Sequence, residues 1–194
     1  MQKGKHNQVE ELLLKRAKNG DASAFEELVV GCEKKIYSAA YRFMGNHFDA
    51  GDVVQEALIK AYQALPGFRG DSSFSTWLLH IVANVSRDEL RRRRRAPITS
   101  LDAPSPGNGG ELPRPAVDQS AGPDAAYEAK ESGEFIQKLI DSLPVEYRLT
   151  LVMRDIQGFS YEEIAQQLEC SVGTVKSRLN RARSILRKKM AARG

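Results

Sequence analysis

Between Lys176 and Arg181 the chain sets out Lys, Ser, Arg, Leu, Asn and Arg in succession. Such side chains suit nucleic acid: asparagine and arginine can each bond a base edge at two points, and flanking cations neutralise phosphate. A second group, Arg91 to Arg95, is an uninterrupted cationic run. A run of this kind at a helix C-terminus favours the macrodipole, but five in a row also repel one another, and a polyanion relieves that repulsion. A nuclear-import tract is a competing reading of the run. The third group is Asp49, Asp52 and Glu56 with Gln55. Its carboxylates share one helical face and lack the partner set that would hold a metal or activate a nucleophile. We therefore assign no catalytic residue, no metal and no cofactor.

The elements that must position the first group are two short helices within Ser160–Lys188. Tyr161, Ile164, Ala165 and Leu168 fall at helical spacing, and after Glu169, Cys170 and Ser171 so do Val172, Val175, Leu179, Ala182 and Leu186. Ser160 with Glu163 reads as a capping box, and Ser171 as the cap of the second helix. A three-residue break of this kind is the corner of a helix-turn-helix. With Val175, Leu179, Ala182 and Leu186 inward, the opposite face carries Gly173, Ser177, Asn180 and Ser184, with Lys176, Arg181 and Arg187 on its flanks. Thr174 lies within the same first turns, and Arg178 lies nearer the packed edge, suited to phosphate.

Charge is unevenly spread along the 194 residues, whose net charge is +4. Residues 1–95 hold 16 Lys and Arg against 12 Asp and Glu, residues 96–143 hold 3 against 8, and residues 144–194 hold 10 against 5. Two basic ends thus flank an acidic middle, as expected of a chain that meets a polyanion twice. No apolar run is long enough to span a bilayer, and the first residues lack the apolar core of a signal peptide, so a cytosolic location is expected. Cys32 and Cys170 lie far apart in helical patterns, which speaks against a disulfide framework and against zinc held with His6, His47 and His80.

The first ninety-five residues read as consecutive helices. Val9, Leu12, Leu13 and Ala17 form one stripe, stopped at Asn19 and Gly20. Asp21 caps a second that carries Phe25 through Phe43 and ends near Gly45. A third begins at Asp49 and ends at Pro66 and Gly67, and a fourth buries Phe74, Trp77, Leu78, Ile81, Val82 and Val85. Phe68 and Arg69, in the intervening glycine-flanked loop, are candidates for stacking on unpaired bases, whereas Phe74 and Trp77 read as core anchors. The stretch from Pro97 to Pro123 holds six of the eight prolines and reads as a flexible acidic linker. Helical sequence resumes at Asp124. The expected architecture is therefore all-α: two helical domains, 1–95 and 124–194, joined by a Pro/Gly-rich linker at 96–123, with the helix-turn-helix in the second.

Four ordered stretches resemble the extracytoplasmic-function class of bacterial sigma factors, the small two-domain specificity subunits of RNA polymerase. They are DVVQEALIKAY from Asp52, GFRGDSSFSTWLLHIVANVSRDELRRR from Gly67, LPVEYR from Leu143 and GFSYEEIAQQLECSVGTVKSRLNRAR from Gly158. The resemblance implies promoter-specific initiation, of stress or envelope-response genes, by a non-enzymatic subunit in the bacterial cytoplasm. It implies that Asp49, Asp52, Gln55 and Glu56 dock on the clamp helices of the polymerase's largest subunit. It places Phe68, Arg69, Ser72, Ser73, Asn84, Arg87, Asp88, Arg91 and Arg92 on the minus-10 element, and Gly173, Thr174, Lys176, Ser177, Arg178, Asn180 and Arg181 on the minus-35 element. It further implies contact with the flap of the second-largest subunit, a linker threading the RNA exit path, and an anti-sigma protein that holds the factor, at the membrane in some cases. An ordinary helix-turn-helix regulator with an N-terminal sensing domain is the alternative, and would bind specific duplex DNA without core enzyme. An enzyme acting on nucleic acid would instead show metal-dependent cleavage.

Overall fold

The structure, a computed structural model, describes residues 2–95 and 123–192, with the side chains of 8–94 and 131–192. Among the described residues there is helix and turn but no strand. The first module holds α1 (Gln2–Lys18), α2 (Ala22–Val30), α3 (Glu33–Met44), α4 (His47–Ala64), a 3-10 turn (Leu65–Gly67) and α5 (Phe74–Arg95). The second holds α6 (Pro123–Asp141), α7 (Val145–Leu151), a π-helical turn (Val152–Ile156), α8 (Tyr161–Gln167) and α9 (Val172–Ala191). Apart from Pro123, the expected linker lies outside the described residues.

Local chemistry accounts for most boundaries. The Asp21 side chain accepts the Ala24 N–H at 3.2 Å and starts α2. The apolar stripe from Phe25 to Phe43, expected as one helix, is two. Gly31 and Cys32 form a turn, with Cys32 at φ −132° and ψ 4°, outside the helical region. The break lets α2 pack on α1 while α3 packs on α4 and α5, which one straight rod could not do. Helix α4 starts at His47 rather than Asp49, because the cap is Asn46, whose side chain accepts the Asp49 N–H at 2.9 Å. In the second module both expected caps are present. Ser160 and Glu163 exchange backbone hydrogen bonds at 3.1 and 2.7 Å, and Ser171 accepts the Thr174 N–H at 3.1 Å. The π turn was not foreseen from the spacing.

Phe43, Phe74, Leu78 and Val82 are enclosed in the first core, and Leu149, Met153, Ile164 and Leu179 in the second. The modules touch along a seam where α3 meets α6 and the π turn, and α5 meets α7. Arg148 donates to the Phe43 carbonyl at 3.2 Å, and Arg42 to Gln137 at 3.1 Å. Gly45 ends α3 at φ +85°, and a Cβ there would stand 2.6 Å from the Asp141 carboxylate. Only glycine satisfies both the left-handed backbone and that approach.

Candidate nucleic-acid interface

Helix α9 turns the expected residues outward. Val175, Leu179 and Ala182 are buried, and this seats Gly173, Lys176, Ser177, Asn180 and Arg181 on the exposed side. Thr174 is half-buried, its hydroxyl 2.9 Å from Ser171 Oγ, and its carbonyl accepts the Ser177 hydroxyl at 2.9 Å. Tyr147 sits beside Arg181 at 3.4 Å, and the Lys176 ammonium stands 5.8 Å from the Tyr161 ring centre. Arg178 points differently. It is half-buried, 3.2 Å from the Glu146 carboxylate and 3.8 Å from Cys170 Sγ, as its place near the packed edge suggests.

Helix α5 presents its polar side to the corner of the other module. His80 and Gln167 hydrogen-bond reciprocally, Nδ1 to Oε1 at 3.1 Å and amide to the His80 carbonyl at 2.7 Å. Arg87 donates to the Gln167 carbonyl and lies 3.5 Å from Glu169, which leaves its side chain 11% exposed. Asn84 is half-buried on the wall of the same polar cleft, with Glu163 and Gln166. Arg91 faces Glu146 at 3.9 Å, so that one carboxylate serves an arginine from each module. Asp88 and Arg92 stay exposed, Asp88 against Arg87 at 3.1 Å and Arg92 against Glu89 at 2.7 Å.

In the loop before α5, Arg69, Ser72 and Ser73 are exposed but Phe68 is not. Its ring is 6% exposed and packs at 4.9 Å on Trp77, so Phe68 is an anchor rather than a free stacking platform. Trp77 is half-buried and packs against the core beside Phe74, which is buried, so both act as the core anchors expected. On α4, Asp52, Gln55 and Glu56 are exposed and Asp49 is buried. The Arg93 guanidinium reaches Asp49 Oδ1 at 2.6 Å and holds its carboxyl below the usual carboxylate range. Asp49 thus ties α4 to α5, and part of the arginine run is neutralised within the protein.

These two arginine-bearing surfaces coincide with two matched family regions. Residues 28–96 match Sigma-70 region 2, and residues 135–186 match Sigma-70, region 4. The chain is 39% identical over 185 residues to the ECF RNA polymerase sigma-E factor of Escherichia coli strain K12, covering 93% of this chain and 94% of that protein. The chain belongs to the extracytoplasmic-function sigma factors. These are subunits that give RNA polymerase its promoter selectivity, and the regulator alternative has no comparable support. Solved structures agree. CnrH, in complex with the cytosolic domain of CnrY, is 26% identical with a TM-score of 0.64, covering 96% of this chain and 99% of that one. The sigma factor RpoE from Bartonella quintana, in complex with the anti-sigma factor NepR, is 25% identical with a TM-score of 0.60, covering 86% and 96%.

Two surfaces of this sigma factor carried no mark in the sequence. Phe48 and Ile59 are 75% and 60% exposed and, at 100° per residue, share one stripe of α4 with Asp52 and Gln55. An apolar groove of about 960 Å³ runs between α6 and α9, lined by Phe135, Ile136, Leu139, Ile156, Leu186 and Met190. Both were hidden for one reason. Periodicity identifies apolar residues but does not tell which of them find a partner within the chain. No described helix is long and apolar enough to cross a membrane.

Proposed function

We propose that this sigma factor divides promoter recognition between α9, on the minus-35 element, and α5 with its preceding loop, on the minus-10 element. The observation that carries the reading is the outward face of α9. Lys176, Ser177, Asn180 and Arg181 are exposed above a fully packed Val175–Leu179–Ala182 seat, which suits insertion into a major groove. Gly173 admits close approach, and Thr174 and Arg178 serve the backbone. On the minus-10 side, Arg69, Ser72, Ser73, Asp88 and Arg92 are accessible at once. Asn84, Arg87 and Arg91 become so when the modules part. That is a physical reason for a free chain to bind promoters poorly and to need core polymerase.

The α4 stripe of Phe48, Asp52, Gln55 and Ile59, with Glu56 beside it, is the surface for the clamp helices, where acids and amides meet a basic partner and the exposed apolar side chains are covered. Asp49 acts behind it, through Arg93. The α6–α9 groove takes the polymerase flap, which would cover its apolar lining. The domain limits are 1–95 and 124–194 with the linker at 96–123 between them. An anti-sigma protein, of the kind bound by RpoE of Bartonella quintana, restrains the factor, at the membrane in some cases, until a stress or envelope signal arrives.

The test is transcription by catalytic core with and without the protein on a pool of promoter fragments. Selective start sites are expected only with both, and unselective initiation would overturn the reading. Asp52→Arg should lower core affinity by about tenfold, from lost complementarity at the contact. Undiminished retention of polymerase would remove α4 from the docking surface.

A further inference from the structure

The loop that precedes α5 is fastened at both ends by one helix, and that helix is α1. At the far end, the Glu10 carboxylate accepts the Phe74 N–H at 2.8 Å. This N–H is among the orphan donors that open α5, and a negative charge there also complements the positive end of the helix dipole. At the near end, Lys18 donates to the Phe68 carbonyl, with its ammonium 5.6 Å from the Phe68 ring centre. Between those points the loop's side chains bond locally. Ser72 reaches the Ser73 carbonyl at 3.4 Å, and Ser73 accepts the Thr76 N–H at 3.2 Å. Gly70, at φ +81°, turns the loop in open space.

Glu10 and Lys18 are eight residues apart, about 12 Å along a helix, whereas six extended residues reach about 20 Å. The loop ends are thus held closer than the chain between them requires, and Arg69 to Ser73 stand out from the surface. A loop fixed in advance does not lose its conformational freedom at the moment it takes a base, so the fixing improves capture without any contact to DNA. Phe68, buried against Trp77, shares in the anchoring.

We infer that Glu10 and Lys18 are positioning residues for the minus-10 loop, setting the shape in which Arg69, Ser72 and Ser73 receive an unpaired base. The inference rests on the reading that this loop meets the minus-10 element. Both side chains lie at the surface or half-exposed, so replacing them opens no cavity in the core.

The experiment uses full-length protein in holoenzyme, with a single-stranded oligonucleotide carrying the minus-10 sequence, its scrambled counterpart, and a minus-35 duplex. Glu10→Ala and Lys18→Ala, made singly, should each reduce the preference for the minus-10 strand over the scrambled strand by about tenfold. Minus-35 affinity and core affinity should stay within about twofold, and Glu10→Gln and Lys18→Arg, which keep an acceptor and a donor, should restore most of the preference. Arg69→Ala with Ser72→Ala is the companion measurement. If that loop variant loses the preference while the α1 variants keep it, the positioning role is wrong and the loop reading stands. If the loop variant also keeps it, the loop reading falls and takes the inference with it. An equal drop on the minus-10 strand and the minus-35 duplex would reduce α1 to a general stabiliser and overturn the proposal.

Discussion

Helices α5 and α9 each carry arginines suited to DNA, yet α9 turns Lys176, Ser177, Asn180 and Arg181 to solvent while α5 turns Asn84, Arg87 and Arg91 toward the opposite module. Composition does not separate the two helices. Neighbours do. The exposed side of α9 is met by Tyr147 and Tyr161, which leave its cations charged and displaceable. The polar side of α5 is met by Gln167, Glu169 and Glu146, which supply acceptors to its arginines from within the protein. On the proposed division of promoter recognition, the α9 surface stands open, whereas part of the α5 surface, at Asn84, Arg87 and Arg91, is covered by the other module.

The comparison can be broken most severely at the seat of α9. Leu179→Ala removes a side chain that is 1% exposed, and should destabilise the second module by about 2–5 kcal/mol in thermal unfolding, with loss of minus-35 binding. A shift of under half a kilocalorie would show that α9 does not depend on this packing. Next in size, Lys176→Ala combined with Arg181→Ala should weaken minus-35 duplex binding by holoenzyme tenfold to a hundredfold, about 1–3 kcal/mol, with core affinity intact. Equal loss of core affinity would remove these residues from the reading face.

The covered side is probed at the seam. Gly45→Ala places a Cβ against the Asp141 carboxylate and strains a backbone at φ +85°, so the free chain should lose about 1–2 kcal/mol of stability. Small-angle scattering should report a more extended particle, and an unchanged profile would mean that the seam absorbs the methyl group. The smallest effect belongs to Glu146→Gln. Withdrawing the carboxylate shared by Arg91 and Arg178 should raise single-strand binding by the free chain two- to fivefold, under about 1 kcal/mol. Titration against a fluorescent minus-10 oligonucleotide reads it, and no increase would mean that Glu146 does not restrain Arg91.

What could be read in advance follows the same division. The helix-turn-helix was legible because both caps are local: Ser160 pairs with Glu163 and Ser171 with Thr174, each three residues on. The exposed α9 face followed from periodicity once that seat was known. Asp49 was misplaced because its partner Arg93 is 44 residues distant, and a carboxylate on a helical face looks the same whether it meets solvent or a guanidinium. Phe68 was misread for a like reason, since a glycine-flanked loop suggests exposure but the ring folds back onto Trp77. The turn at Gly31–Cys32 was missed because the apolar stripe continues through it on both sides. Nothing in Gln167 or Glu169 announces that the helix corner would meet α5.

The seam between the modules leaves polar atoms poorly served. Glu146 Oε2, although 3.2 Å from Arg178, and Arg148 Nε are buried without a hydrogen-bond partner among the described residues. An unbonded buried polar atom is costly, and water admitted at the seam would relieve that cost. The contact therefore resembles a catch more than a weld. On the proposed reading, solvent would help its release when polymerase draws the modules apart, and the arginines held in it would then come free.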